Sequence, residues 1–397
     1  MPSGCTGIRE RRLGRYVFVG AFMAEMTDLS ALQPLGGYQL PPNYYYSEAW
    51  FQREQQDLFA RTWRFACFER DLAQPGDYRP VQVGNEPLLI TRAADGKLHA
   101  LHNVCRHRGI KLYEQCGNAR ALSCPYHAWR YTLQGELDHV PQHASQFPQL
   151  KLEDWGLLKG SVDRWAGMVF VHPDPDAPPL AAWLGGLGER LKRFDSAGLE
   201  EVHAQQYDMA ANWKFYIENH IDWLHLYFLH ARSLKDYQHS GGELSQHGPH
   251  WTSFERPKPG REGVTHDRRT GLLPLEGLTD ADADVGAHLI FPNLALITSP
   301  YFLINLHVQP VSAESCTVEF RVQARPDDTA REVHAHEFEQ VMEEDRFAAE
   351  ALQAAVRSRA FSVGPMALEW EAPLAHFHEH YRRTMSIDSA RPIDPTT

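Results

Sequence analysis

The chain is short of cysteine, of positive charge and of long apolar runs. Six cysteines in 397 residues are too few for a disulfide-stapled scaffold, so stability must rest on an ordinary core. Thirty-nine Lys and Arg against 51 Asp and Glu give a formal net charge of −12. That field argues against general binding to nucleic acid or to an acidic membrane surface. The apolar run Tyr16 to Ala24 is too short to span a bilayer, which needs about 20 residues, and no other segment reads as transmembrane. A dinucleotide fingerprint is also missing: Gly185-Gly-Leu-Gly has neither the G-x-G-x-x-G spacing nor a preceding strand. There is no four-cysteine run of the plant ferredoxin type. A cytoplasmic protein with no nucleic-acid or membrane partner is expected.

Histidine is abundant, with 22 residues. It is the commonest metal ligand, so metal sites are the first thing to look for. The length allows two or three domains. Near the start, Arg9, Arg11, Arg12 and Arg15 precede the apolar run, and Arg11-Arg12 faintly suggests a twin-arginine export signal. No A-x-A site follows directly, and Met26 opens Met-Thr-Asp-Leu-Ser, which reads like an ordinary start. Residues 1–25 are therefore expected to be a disordered or non-native extension.

Ser47 can cap a helix running to about Arg61. From Thr62 to about Val171 the texture changes to short β-type runs. Val81–Val83, Leu88–Arg92 and Lys97–His102 are strand candidates, with Asp95-Gly96 as a hairpin signal and Gln134-Gly135 as a second turn. The segment His172 to Pro179, with four prolines, cannot propagate helix or sheet and marks a boundary. Beyond it, helical patterns (Leu180–Phe194, Asn212–His230, Thr329–Ala360) alternate with strand-like runs (His288–Ile297, Phe302–Gln309, Thr317–Ala324), which predicts an α+β domain. The stretch 235–285 is Gly- and Pro-rich and reads as loops. Ala390–Thr397 reads as a loose tail.

Two Cys/His loops form the first constellation: Cys105-Arg-His107-Arg-Gly and Cys124-Pro-Tyr-His127-Ala-Trp. Sixteen residues separate His107 from Cys124. Each loop offers one thiolate and one imidazole, and Gly109 and Pro125 suit tight bends. Two sulfur and two nitrogen ligands fit structural zinc or a Rieske [2Fe–2S] cluster, in which two Cys hold one iron and two His the other. One Cys and one His per loop suits the cluster. Cys5, Cys67, Cys116 and Cys316 are expected to be buried apolar cysteines.

The second constellation lies in Asn212-Trp-Lys-Phe-Tyr-Ile-Glu-Asn219-His-Ile-Asp222-Trp-Leu-His225-Leu-Tyr-Phe-Leu-His230. Asp222 and His225 are i,i+3 neighbours on a helix, whereas His225 and His230 would stand about 140° apart. Both can reach one metal only if the helix ends or widens locally, for example at a π-bulge. Otherwise they are packed core residues. A carboxylate would complete a 2-His-1-carboxylate site of the kind that leaves open positions on Fe(II). Asp345 is the candidate, because it shares a helical stripe with Phe338, Val341, Ala348, Ala349, Leu352 and Val356, while Glu343, Glu344 and Arg346 point away. The competing reading leaves Asp345 wet at a helix end.

Taken together, residues 40–385 resemble the oxygenase α-subunit of Rieske non-heme iron ring-hydroxylating oxygenases. The resemblance rests on the paired loops, the Asn-Trp-Lys…Glu-Asn…Asp-x₂-His-x₄-His segment, and Glu344-Asp345-x₄-Glu350-x₂-Gln353. It implies an all-β Rieske domain at 62–176 and a catalytic domain at 177–390, an antiparallel sheet covered by helices in the helix-grip manner. Residues 26–61 are expected to pack with the catalytic domain, and 391–397 to form a tail. It implies a [2Fe–2S] cluster on Cys105, His107, Cys124 and His127, and mononuclear Fe(II) on His225, His230 and Asp345. Asp222 is implied to bridge a cluster histidine of one subunit to an iron-ligand histidine of its neighbour in a head-to-tail homotrimer. Asn219 matches a family position near the iron.

The activity so implied is that of a terminal oxygenase. It would use O₂ and electrons from an NAD(P)H-dependent reductase or a ferredoxin to hydroxylate an aromatic substrate. His220 stands where hydrocarbon-oxidising relatives carry an apolar aromatic, which hints at a polar or acidic substrate. The alternative is O- or N-demethylation of an aryl methyl ether or a quaternary amine, for which Tyr44-Tyr45-Tyr46 could contribute to an aromatic cage. A zinc-stabilised binding protein is the reading from outside the family.

Overall fold

The computed structural model describes residues 39–259, 274–279, 284–327 and 331–387. The readings for residues 1–25, Cys5 and the tail from Ala390 lie outside the described residues. Ser47 starts helix α1 (Glu48–Asp57), its hydroxyl accepting from the Trp50 amide at 3.3 Å. The helix stops before Arg61 because a 3₁₀ turn takes over at Phe59–Arg61.

Ten strands follow: β1 (Arg64–Phe68), β2 (Asp77–Val83), β3 (Glu86–Arg92), β4 (Leu98–His102), β5 (Gly117–Asn118), β6 (Leu122–Ser123), β7 (Arg130–Tyr131), β8 (Leu137–His139), β9 (Lys159–Trp165) and β10 (Met168–His172), with a short α2 (His143–Gln146) after β8. Seven of them form a sheet in the order β1-β10-β9-β4-β3-β2-β5, and β6-β7-β8 form a small second sheet. The Asp95-Gly96 turn joins β3 to β4, with Gly96 N bonded to Ala93 O at 3.0 Å.

The second half comprises α3 (Leu180–Leu191), β11 (Glu200–Met209), α4 (Trp213–Ile221), α5 (Leu224–Phe228), β12 (Tyr237–His247), β13 (His250–Pro257), β14 (Val285–Ile290), β15 (Leu294–Thr298), β16 (Phe302–Ser312), β17 (Ser315–Ala324), α6 (Arg331–Ala355) and α7 (Ala372–Thr384). Its seven strands run β11-β17-β16-β15-β14-β13-β12, every neighbouring pair antiparallel. Successive side chains on a strand point to opposite faces, so each face collects its own core. One face meets α4, α6 and α7 around Trp213, Tyr216, Leu306, Phe320, Met342 and Phe377. The other packs Ile290 and Leu303 with Leu184 and Leu187 of α3 and with Phe65 and Phe170 of β1 and β10. One apolar core thus continues across the proline-rich segment and joins the two large sheets.

Glu54 of α1 ties the N-terminal segment to the helices. Its carboxylate takes Trp213 Nε1–H at 3.0 Å, Lys214 Nζ at 2.6 Å and the Tyr381 hydroxyl. The Glu54–Lys214 pair is 0% exposed at both side chains. Such a pair is tolerated because further hydrogen bonds satisfy it.

Several readings of the sequence need correction. Asn212–His230 is not one helix but α4 and α5, broken at Asp222. His288–Ile297 is a hairpin, β14 and β15, turning at Phe291-Pro292. Much of the supposed loop 235–285 is the long hairpin β12–β13; its Ser240-Gly-Gly run falls in a register shift between Gln238 and Glu243, which is where glycine suits a strand. Tyr44, Tyr45 and Tyr46 form no cage: Tyr44 stacks on Trp50 at 3.7 Å, Tyr45 on Phe215 at 4.3 Å, and Arg357 lies over Tyr46. Cys67 and Cys316 are buried, and burial pushes both thiols up to about 12. Cys116 departs from the reading: it is exposed, with Arg79 Nη1 at 3.6 Å.

Candidate metal centres

The two Cys/His loops share one backbone plan. Gly109 N bonds to Cys105 O at 2.9 Å and Cys105 N to Ile110 O at 2.8 Å; Ala128 N bonds to Cys124 O at 3.0 Å and Cys124 N to Trp129 O at 2.8 Å. Each loop closes through a left-handed residue four positions after its cysteine, Gly109 at φ 76° and Ala128 at φ 53°. Glycine adopts this conformation freely, while alanine is strained there, a cost tolerated where surrounding bonds fix the loop. The His107 and His127 rings lie 4.6 Å apart, and Trp129 stacks on His107 at 4.8 Å. Both Nδ1 atoms are buried with no hydrogen-bond partner. A buried imidazole nitrogen without a partner is costly, and an iron ligand satisfies it. The Tyr131 hydroxyl, absent from the sequence reading, lies 3.3 Å from Cys105 Sγ and accepts from Arg106 N at 3.1 Å. No helix of the described residues is long and apolar enough to cross a membrane.

The second centre begins with the break at Asp222. Its backbone is extended (φ −80°, ψ 126°). Its Oδ1 accepts from Leu224 N at 2.7 Å and its Oδ2 from His225 N at 3.3 Å. A short aspartate that captures the amide two residues on competes with the helix, and this ends α4. α5 ends at Phe228, so His230 lies past its last turn and faces His225, with ring centroids 4.9 Å apart. His225 Nδ1–H donates to the Asp222 carbonyl at 2.6 Å, leaving Nε2 bare. Burial pulls the His225 pKa down to about 4, so the ring is neutral and free to ligate.

Asp345 is buried on α6, although the inward stripe is not quite the one the sequence predicts. Met342, Asp345, Ala349, Gln353 and Val356 are buried, while Leu352 is 50% exposed. His230 Nε2 lies 2.9 Å and His225 Nε2 3.9 Å from Asp345 Oδ1. The ligand atoms of the three residues all lie within 4.8 Å of one another. Asn219 Nδ2 donates to Asp345 Oδ1 at 2.7 Å, fixing the carboxylate from the α4 side.

Glu344 was read as pointing away, yet its Oε2 accepts His230 Nδ1–H at 2.8 Å and the Ser233 hydroxyl at 2.5 Å. Its backbone lies off the stripe, but a glutamate side chain is long enough to reach back. Burial works against a charged His230, but the Asp345 and Glu344 carboxylates outweigh it and raise its pKa. A ring held between two carboxylates calls for a cation at Nε2, so the residues fit a divalent metal. Carboxylate–imidazole pairs of this kind orient metal ligands. Glu344→Ala is expected to weaken iron binding about 10–100-fold, read by iron titration of the chelated protein.

The triad forms one wall of a cavity of about 100 Å³, lined elsewhere mostly by apolar and aromatic residues including Leu226, Ala287, Ile297, Leu306, Phe320 and Phe338. His220 also lines it, its Nε2–H donating to the His288 carbonyl at 3.2 Å. Burial lowers the His220 pKa, so the ring is neutral and brings no positive charge for an acidic substrate. The sequence reading missed Glu255, a carboxylate in the same lining; its signal was a lone acid in the strand pattern His250–Pro257.

The fold and the two donor sets define a two-domain protein with the plan of an electron-transfer domain followed by a helix-covered catalytic sheet. Residues 62–155 match the Rieske [2Fe-2S] domain and residues 196–387 the catalytic domain of the ring hydroxylating alpha subunit. The chain belongs to the Rieske ring-hydroxylating alpha-subunit family. It is similar to the biphenyl 2,3-dioxygenase subunit alpha of Rhodococcus jostii, 34% identical over 45% of this chain and 40% of that protein. The chloroplastic choline monooxygenase of Beta vulgaris is 26% identical over 85% of this chain and 75% of its own length. Among solved structures, a quaternary ammonium Rieske monooxygenase in complex with L-carnitine shares the fold with a TM-score of 0.74, at 22% identity over 89% of this chain and 97% of that one. The match to the biphenyl enzyme spans less than half of either chain.

Proposed function

We propose that this chain is the terminal oxygenase of a multicomponent system, taking electrons from a separate NAD(P)H-dependent reductase or ferredoxin and using O₂ to hydroxylate a small, polar aromatic substrate. The observation that carries this reading is that three converging donors form one wall of an otherwise apolar cavity. Its volume is of the same order as an engineered apolar cavity of about 150 Å³ that admits benzene, so a single ring suits it. A cluster on Cys105, His107, Cys124 and His127 would store an electron, and Fe(II) on His225, His230 and Asp345 would supply the oxygen chemistry.

The chain's own residues do the rest. Asp222 and Glu344 hold the two imidazoles by Nδ1 so that both Nε2 atoms face Asp345, Asn219 orients Asp345, and the apolar wall excludes water and positions the ring. Asp222 also lines a second cavity, of about 270 Å³, with Asn219, Leu352, Phe361 and Glu371. Ile110, Tyr126 and Trp155 stand exposed on the domain that carries the tetrad, as do Leu352, Phe361 and Trp370 on the domain that carries Asp222. These apolar groups support a head-to-tail homotrimer in which Asp222 receives a neighbour's cluster histidine.

A second reading, N-demethylation of an amine, is favoured by Glu255 and by the aromatic faces of Tyr216, Trp223, Tyr237, Phe320 and Phe338 in the lining. Product analysis under ¹⁸O₂, with a surrogate reductase and a panel of arenes, aryl ethers and betaines, tests both. A ring product carrying labelled hydroxyl is the expected result. A demethylated product with formaldehyde moves the assignment to the second reading, and no oxygen incorporation with any substrate refutes both.

A further inference from the structure

The wall of the cavity opposite the helices is built by one sheet face. Pairing across β13–β17 aligns Glu255 with Val285, Ala287 with Ile297, and Leu306 with Phe320, and all six line the cavity. Five are apolar and Glu255 is charged. Its side chain is 13% exposed, and a carboxylate so placed is unfavourable unless something answers its charge.

His239 answers it only in part. Its Nδ1–H donates to Glu255 Oε2 at 2.9 Å, and the Tyr227 hydroxyl donates to the His239 carbonyl at 2.7 Å. The His239 side chain is itself 7% exposed. One ring nitrogen occupies one of the roughly four acceptor sites of a carboxylate. Among the described residues no other hydrogen bond is made to the Glu255 carboxylate, and no Lys or Arg lines the cavity. His220 Nε2–H is committed to the His288 carbonyl, and His225, His230 and Asp345 are committed to the triad. Among the described residues, the cavity therefore offers an anionic substrate no charged partner and offers a cation one oriented carboxylate among aromatic faces.

We propose that Glu255, oriented by His239, is the specificity-determining residue of this pocket and receives a positively charged nitrogen of the substrate. The inference rests on the oxygenase reading for the identity of the cavity, and it narrows the substrate class to ammonium-bearing molecules.

The test is calorimetric titration of the iron-loaded protein under argon with three probes on one ring: benzylammonium, benzyl alcohol and benzoate. Benzylammonium is expected to bind tightest. Glu255→Gln keeps the shape and an acceptor for His239. It should weaken benzylammonium about tenfold or more, the worth of a hydrogen bond to a charged group, and leave benzyl alcohol unchanged. An unaltered melting temperature supports a binding role over a structural one. Benzoate binding as tightly as benzylammonium, no binding of benzylammonium, or an equal loss for all probes in Glu255→Gln overturns the proposal. Glu255-dependent binding without any substrate-dependent O₂ uptake alongside a surrogate reductase refutes the oxygenase reading and leaves this inference standing.

Discussion

Asp345→Ala loses the mononuclear iron and keeps the cluster. Iron content falls from about three per chain to about two, the number a [2Fe–2S] centre holds, while the visible absorption of the cluster is unchanged and oxygen uptake drops to background. The expectation follows from the geometry. Among the described residues Asp345 supplies the carboxylate that converges with both His225 and His230, and its Oδ1 is the point on which both Nε2 atoms and Asn219 Nδ2 bear. Removing it leaves two neutral donors, and Asn219 loses its acceptor. Iron analysis by a colorimetric chelator beside the absorption spectrum decides the matter; unchanged iron would remove Asp345 from the ligand set.

Asp222→Asn separates metal binding from turnover. Asparagine retains an oxygen for the Leu224 amide, and the backbone carbonyl that holds His225 Nδ1 is untouched. Both metals should stay bound. What is lost is a carboxylate that burial, helped by Glu371, pushes up to about 6, a value that lets it share a proton with an imidazole near neutral pH. Turnover should fall about a hundredfold, the upper range for residues that support a metal ligand through hydrogen bonds. Full iron content with slow turnover in a single-turnover assay is the signature. A variant that turns over at the wild-type rate would remove the bridging role.

The sequence made the Cys/His tetrad legible because its ligands lie at short spacings in two loops, where residue type and geometry are tightly coupled. Asp345 could be found because a charge on an apolar stripe is rare. Glu344 and Glu255 escaped for different reasons. Glu344 lies beside the stripe, and only its side-chain reach brings it to His230. Glu255 sits in a strand whose register is set by pairing with β14, a long-range contact that no local pattern encodes. The β12–β13 hairpin was hidden by its glycines, which mark a strand irregularity here as readily as a loop. The broken helix was half legible: the poor angular match of His225 and His230 required the helix to end or widen between them, and α5 ends at Phe228, whereas the earlier break at Asp222 was not anticipated.

The apolar core that joins Phe65 and Phe170 to Leu184 and Leu303 has a consequence for timing. Both large sheets share that core, so the two candidate metal centres of one chain are carried on one apolar framework. Under the proposed function, the timing of electron arrival would then fall to local rearrangements, and the interrupted helix at Asp222 is the place where such a movement would be felt by His225.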